Sequence, residues 1–429
     1  MAPTERDGDG RDTTDRGRVD MAGARWPLAG PVAVWALTRL MLLLYVFRVL
    51  VFPGADVTAD VSVIYHGWYE VLRQGTFPMD DVTWQYPPAA ALAVLAPAAL
   101  PFLAYPAAFF VLAFLADLTV LALLGYAGRR PGKSLRGAWV WVTGLPLLGP
   151  TPYARYDVMV TAVAVAALFA GARRPGVMGA LAGFGAMVKV WPALLLVGAV
   201  RLRAWGAAAA GAIGVAAVFA LAMPGAFAFL AFQRDRGTEV ESLGGLVFHV
   251  ARYFGWQGEV LLNYGSVEFL GPHVGLVSTA ALALTGAAFG WLLLWRLAAR
   301  RLRPHTLADA AFTAVLLFVT TSRVISPQYL VWLIGLAAVC VSFRAGRMGL
   351  PALLVLAAAL VTVLEFPIGF SHVVASDWYG TGLLFLRNGL LVTASLLAAR
   401  RLWRTTVPAA PTAELPTPAG RTEESPVSS

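Results

Sequence analysis

One cysteine, Cys340, stands in 429 residues. A single chain of this kind has no disulfide framework and no cysteine-based metal site. Charge is scarce as well. Asp, Glu, Lys and Arg make up 13% of the chain, where soluble domains carry roughly a quarter. Bases outnumber acids, 33 to 24, but they sit in short clusters between apolar runs. That distribution fits membrane topology, and no nucleic-acid partner is expected. His66, His249, His273 and His372 are scattered without metal-type spacing, so no metal site and no cofactor are expected. No signal peptide is legible. Residues 1–24 are Gly/Asp/Arg-rich and read as a disordered cytoplasmic tail, and the Pro/Thr/Ala/Glu-rich residues 405–429 read as a second one. No strong internal repeat of the kind that inverted-repeat transporters carry is visible.

What the chain has in abundance is apolar sequence, 59% of it. Apolar runs near 20 residues read as spanning helices, and short basic loops stay in the cytoplasm. The resulting path goes out through 30–52, leaves 53–85 outside, and meets a proline-broken stretch at 86–127. Pro97, Pro101 and Pro106 divide that stretch into a short re-entrant piece near 88–103 and a span at 105–127. The cluster at 128–136 is inside. Residues 176–200 contain Lys189 and Pro192 between basic flanks, which implies two short helices meeting near Lys189 at the outer side. Residues 224–270 form a second long outer loop. The expectation is an all-α integral membrane protein, a polytopic helical bundle over residues 25–404. It has about twelve transmembrane helices, long outer loops carrying short helices, and both termini cytoplasmic.

On this path the polar chemistry gathers on the outer face: Asp60, Asp80, Asp81, Arg155, Asp157, Lys189, Arg234, Arg236, Glu241 and Arg323. Acids and bases are mixed there beside Tyr and Trp. Such a mixture suits an aqueous pocket that holds a sugar by carboxylates and aromatics and a phosphate by Arg and Lys. The stretch DVSVIYHGWYEVLRQGTFPMDDVTWQYPP, residues 60–88, is the first long polar-aromatic interruption of the apolar sequence.

That loop resembles the first outer loop of glycosyltransferases of the GT-C fold, family 87 in particular. Asp60, Tyr65, Gly75 and Tyr86-Pro87-Pro88 carry the resemblance. Arg155-Tyr156-Asp157, Lys189-Val190-Trp191-Pro192, Arg234 to Arg236 with Glu241-Ser242, and Ser326-Pro327-Gln328-Tyr329 extend it over roughly residues 30–400. The spacing from Asp60 to Tyr65 is often one residue shorter in the family, which makes Asp56 the rival for Asp60. The resemblance implies a polytopic membrane enzyme that moves a hexose, mannose first, from a polyprenyl-phosphate donor. The acceptor is a lipid-linked or cell-envelope glycan at the outer leaflet. It implies Asp60 as general base, with Arg234, Arg236, Lys189, Arg155 and Arg323 as candidates for the donor phosphate. Tyr65, Tyr86, Asp157, Glu241, Gln328 and Tyr329 are the sugar or acceptor candidates. Arginines alone can serve a monophosphate, so the chemistry requires no metal. An arabinofuranosyltransferase with the same kind of donor and a lipid-linked-sugar transporter are the alternatives.

Each of these residues has a plainer reading. Asp60 is a natural N-cap for a helix at 61–74. Tyr65, Trp68 and Tyr69 fit an interfacial aromatic belt. Asp157 caps the returning helix or pairs with Arg155. Lys189 snorkels, Arg234 and Arg236 face solvent, and Ser326-Pro327-Gln328 is a turn that opens a helix. Arg39 and Asp117 fall in mid-span, where a structural pair across two helices is the expected reading.

Overall fold

A computed structural model describes residues 28–408. The tails expected at 1–24 and 405–429 lie outside the described residues except for 405–408, where the last helix runs on to Thr406 instead of ending at 404. The first helix, α1 (Ala29–Val46), leads to a wide helical turn, Asp60–Tyr65, that runs straight into α2 (His66–Leu72). Gly75, at φ +86°, then turns the chain back, a conformation that favours a residue without Cβ. The short α3 (Ala90–Leu95) and the long α4 (Tyr105–Gly128) follow, separated by the prolines that the sequence places there. The chain continues through α5 (Arg136–Gly144), α6 (Asp157–Gly171), α7 (Pro175–Val188), a 3-10 segment Trp191–Gly198, and α8 (Leu202–Ala222). The helices α9 (Phe229–Asp235) and α10 (Gly245–Tyr253) lie in the long connection over residues 224–270. Beyond it run α11 (Val274–Ala298), α12 (Thr306–Thr321), α13 (Tyr329–Ser342), α14 (Gly349–Val363), α15 (Phe370–Ala375) and α16 (Trp378–Thr406).

Two expectations need correction. The bundle is mostly but not wholly helical: β1 (Thr238–Glu239), β2 (Glu259–Asn263) and β3 (Ser266–Leu270) form an antiparallel sheet in the order β1-β3-β2. The β2–β3 hairpin turns at Tyr264-Gly265, both at positive φ as a tight two-residue turn requires. Second, six helices among the described residues, not about twelve, are long and apolar enough to cross a membrane by themselves: α1, α4, α8, α11, α14 with its continuation to Ile368, and α16. That number of apolar helices makes this a multi-pass membrane protein. The remaining apolar helices are shorter. Helices of 14 to 16 residues, such as α6, α7, α12 and α13, reach only about 21–24 Å at 1.5 Å per residue, against a hydrocarbon core of roughly 30 Å.

The short helices make the core. All but two of the 14 residues of α13 are buried, and it packs on α5, α6, α12 and α14. A helix apolar on every side belongs inside a bundle. Gly179 and Gly183 of α7 lie against the backbone of Ala204 and Ala208 of α8. A Cβ at either would stand 2.0 or 2.2 Å from a carbonyl oxygen, the close small-residue packing of membrane helices. The connections that follow α2 and α8 are stitched together. Phe77 N–H donates to the Pro224 carbonyl (3.0 Å), and Gln233 Nε2 donates to the Gln85 carbonyl (2.9 Å).

Arg39 and Asp117 form the expected pair, and four elements complete it. Arg39 Nε donates to Asp117 Oδ2 at 2.8 Å, and the same carboxylate accepts from Trp35, Trp141 and Tyr153 at 3.1, 2.6 and 2.7 Å. Arg39 also donates to the carbonyls of Val142 and Trp141. Both side chains are inaccessible to solvent. A buried pair of this kind is costly to break from one side, because the surviving charge is stranded. Asp117→Asn is expected to lower stability by about 3–5 kcal/mol, read as thermal unfolding in detergent. Adding Arg39→Met to the same chain is expected to return part of that loss; a single variant as stable as wild type would contradict the role of the pair.

Candidate active site

The wide turn at Asp60 and the turn between α5 and α6 face each other at one end of the bundle. Asp60 is the first residue of its helix, but Ala59 holds the cap position and no side chain caps it. The Asp60 carboxylate, one-third exposed, instead forms an ion pair with Arg155. Arg155 lies in extended backbone just before α6 and also donates to the carbonyls of Ala154 (2.9 Å) and Val57 (3.4 Å). The rival, Asp56, is occupied by Arg48 and by the N–H and hydroxyl of Thr58 at 2.9 and 2.6 Å. Partial burial pushes its carboxyl up, and those hydrogen bonds and the Arg48 charge bring it below the usual range.

Two residues beyond Arg155, Asp157 opens α6 without capping it. Its Oδ1 accepts from Lys189 Nζ at 2.7 Å and from Trp332 Nε1 at 2.5 Å, while Oδ2, buried, has no hydrogen-bond partner. Lys189 stands in extended backbone where α7 ends, because the two short apolar pieces on either side of it meet there. Its ammonium lies 4.8–5.8 Å from the ring centres of Tyr86, Tyr156, Tyr329 and Trp332. Such rings attract a cation by their faces. Burial pulls the Lys189 ammonium down, Asp157 opposes that fall, and Arg155 and Arg236 add to it. The cage is layered further. Tyr329 stacks on Trp332 at 4.1 Å, Tyr86 meets Tyr156 edge-on at 5.3 Å, and Tyr65 lies 6.0 Å from Tyr156.

Burial pushes the Tyr86 phenol up to about 12 and those of Tyr65 and Tyr156 well above their usual value. At neutral pH all three are O–H donors. The Tyr156 hydroxyl is buried without a partner, as is natural for a group that waits for a ligand oxygen.

The connection over residues 224–270 brings Arg236 within electrostatic reach of this cage. Arg236 Nη2 donates to Ser266 Oγ at 2.8 Å, and its Nε lies 3.4 Å from Glu268. Glu268, wholly buried in β3, also accepts from Gly237 N–H, Asn263 and Ser266. Arg323 donates to the carbonyls of Arg236 (2.6 Å) and Gln233 (3.0 Å), so its guanidinium holds the backbone that carries Arg236. Arg234 sits exposed in the last turn of α9. Glu239 accepts from Ile325 N–H (2.6 Å) and Ser326 Oγ–H (2.9 Å), tying β1 to the start of α13. Glu241 goes elsewhere. It joins Arg387 (3.7 Å), which also lies 3.3 Å from Glu365. Gln328, half-buried, precedes α13 beside Tyr329. Asp81 caps its own loop, accepting from Trp68 Nε1 and from Thr83. Among the described residues no three His, Cys, Asp or Glu side chains converge as a metal site.

The structure thus brings Asp60, Arg155, Asp157, Lys189, Tyr65, Tyr86, Tyr329 and Arg236 to one end of the bundle, with Arg323 behind them and Glu241 in a separate cluster. Sequence reasoning misses Glu239, Glu268 and Trp332. For Trp332 a signal exists, since it follows Tyr329 by one helical turn and shares its face.

A multi-pass helical bundle with an acid, a buried lysine and phenols at one end is the arrangement of a membrane glycosyltransferase of GT-C type. The sequence model of glycosyltransferase family 87 matches residues 84–327, more than half of the chain. The protein belongs to that family and is a glycosyltransferase that depends on a polyprenyl-phosphate sugar donor. The matched stretch runs from Trp84 to Pro327. It contains Tyr86, Arg155, Asp157, Lys189, Arg234, Arg236, Glu241 and Arg323, whereas Asp60, Tyr65, Gln328 and Tyr329 lie outside it. A search of curated proteins finds no match.

Glu239 titrates in a useful range. Burial pushes its carboxyl up to about 7, against the opposing effects of Arg236, Ser326 and Ile325. The folded protein therefore keeps a proton that the unfolded chain loses above about pH 4.5, so this group lowers stability as pH rises from about 4.5 to about 7. Glu239→Gln is expected to flatten the fall of the melting temperature across that interval, a contribution of at most about 3 kcal/mol. An unchanged pH dependence would contradict the protonated state of Glu239.

Proposed function

We propose that this enzyme transfers a hexose, mannose first, from a polyprenyl phosphate to a lipid-linked or cell-envelope glycan, at a pocket facing outside the cell. The observation that carries the reading is the juxtaposition of Asp60 with the aromatic cage of Lys189, through three consecutive residues, Arg155, Tyr156 and Asp157. One side of this arrangement offers a carboxylate one-third exposed. The other offers desolvated positive charge, which attracts a phosphate strongly because little water screens it.

In the proposed reaction an acceptor hydroxyl attacks the anomeric carbon on the face opposite the phosphate. Asp60 takes the hydroxyl proton as the new C–O bond forms. The pair of the breaking C–O bond stays with the departing polyprenyl phosphate, and the anomeric centre inverts. Lys189 and Arg236 carry the growing phosphate charge, Arg155 and Arg234 assist, and Arg323 holds the loop. Arg155 grips one Asp60 oxygen and leaves the other for the acceptor. Tyr65, Tyr86 and Tyr329 face the sugar with Asp157 and Gln328, and Glu241 supports that side from its own cluster. No step requires a metal.

The topology proposed with this site has about twelve crossings and both termini in the cytoplasm. In it α5, α6, α7, α12, α13 and the segment Trp191–Gly198 complete the count as short crossings beside the six long helices. Their shortness supports an outer pocket recessed by about 6–9 Å relative to a full span. The test is transfer from radiolabelled polyprenyl-phosphate mannose in sealed right-side-out vesicles, with the acceptor supplied outside. Wild type is expected to move label and Asp60→Asn to lose about 10²–10⁴-fold in rate while inserting normally. Undiminished transfer by Asp60→Asn would remove Asp60 as base, and transfer only in inverted vesicles would reverse the topology.

A further inference from the structure

A cavity of about 890 Å³ opens at the end of the bundle opposite the catalytic pocket. Six bases line it: Arg130, Lys133, Arg173, Arg174, Arg201 and Arg303. No aspartate or glutamate is among its lining residues. None of the six forms an ion pair with a carboxylate among the described residues. Basic residues gather on the cytoplasmic side of any membrane protein, but there they ordinarily project into water from separate loops. Here they come from four separate connections and converge on one concavity. Three helices of fourteen or more residues, α7, α8 and α12, also begin at its rim and add their positive ends.

The concavity is built, not incidental to loose loops. Residues 132–134 are pinned to the end of α13. Lys133 pairs with Phe343 in a β-bridge, Ser134 N–H donates to the Ser342 carbonyl at 2.8 Å, and Arg344 Nε donates to the Lys133 carbonyl at 2.7 Å. This fixes Lys133 with its ammonium over the rings of Phe343 and Phe169, at 2.8 and 5.3 Å from their centres. Burial pulls that ammonium down to about 8, so an anion placed beside it would relieve a desolvated charge. The wall above is apolar, formed by Leu123, Phe169, Met178 and Leu307. A basic mouth under an apolar wall, at the level where helices begin and end, matches a phosphate that carries acyl chains.

We propose that this cavity is a binding site for the headgroup phosphate of an anionic glycerophospholipid of the leaflet opposite the catalytic pocket. It is separate from the donor site. The phosphate is held by Lys133 and Arg303, with Arg130, Arg173, Arg174 and Arg201 around it. One acyl chain lies along the apolar wall. The binding itself does not depend on the catalytic reading above; only the naming of the leaflet as cytoplasmic does.

The experiment uses the full chain purified in detergent and follows its melting temperature against added phosphatidylglycerol, phosphatidylcholine or inorganic phosphate. Phosphatidylglycerol is expected to raise it saturably, and the other two to leave it unchanged at equal concentration. Lys133→Gln with Arg303→Gln is expected to weaken the phosphatidylglycerol response by about tenfold or more in half-saturating concentration. Arg129→Gln with Arg300→Gln, at the same end but outside the cavity, is expected to leave it intact. Should the first pair fail to fold, Arg173→Gln with Arg201→Gln, at two exposed positions, serves instead. An equal response to phosphatidylcholine, or equal weakening by the control pair, would overturn the site. A full response to inorganic phosphate alone would overturn the lipid as its occupant.

Discussion

A lysine buried in a membrane protein has to be neutralised or solvated, and this constraint organises the active end of the bundle. Lys189 is met by Asp157 at 2.7 Å and by four aromatic rings. The arrangement follows from helix length. Helices α6 and α7 have 15 and 14 residues, too few to reach across a bilayer, so the charged residues at their ends, Asp157 and Lys189, lie within the bundle rather than beyond it. Charge at that depth is tolerated where it is paired or lines a cavity. Asp157 keeps one buried oxygen without a hydrogen-bond partner, and the Tyr156 hydroxyl beside it is likewise unpartnered. A site stabilised in every contact would leave nothing to offer a ligand; this one leaves polar atoms in reserve.

The long connection over residues 224–270 is held to that end of the bundle by buried carboxylates. Glu268 grips Arg236, Glu239 joins β1 to Ile325 and Ser326, and Arg323 collects the carbonyls of Gln233 and Arg236. Together they place one guanidinium over the cage with a precision that a free loop would lack. At mid-depth, Arg39 and Asp117 do comparable work for α1, α4 and α5. In both places each buried acid is satisfied by several donors.

Much of this was legible in the sequence. The helix from Asp60 to Leu72, the break at Lys189 and the Arg39–Asp117 pair all follow from local pattern, because each needs only helix length, proline position or charge depth. Partner choice was less legible. Arg155 and Asp157 are two residues apart, and their adjacency hides that each pairs with a distant residue, Asp60 and Lys189. Glu239 and Glu241 look alike in sequence, yet β1 ends at Glu239 and Glu241 lies in the turn beyond it, beside Arg387. The strands themselves, of two to five residues, are shorter than any pattern can mark. The helix count was only partly legible, with six helices long enough to cross alone among the described residues, since periodicity and hydropathy register that a segment is buried but not whether lipid or protein surrounds it.

The central claim is a division of labour: Lys189 and Arg236 hold the phosphate, and Asp60 acts on the acceptor. The direct measurement is equilibrium binding of polyprenyl phosphate, the leaving group, to the purified protein and its variants. Asp60→Asn is predicted to bind as wild type does, while Lys189→Met and Arg236→Gln each weaken binding by about tenfold or more. Loss of binding in Asp60→Asn to the same extent, or wild-type binding in Lys189→Met, would contradict the account.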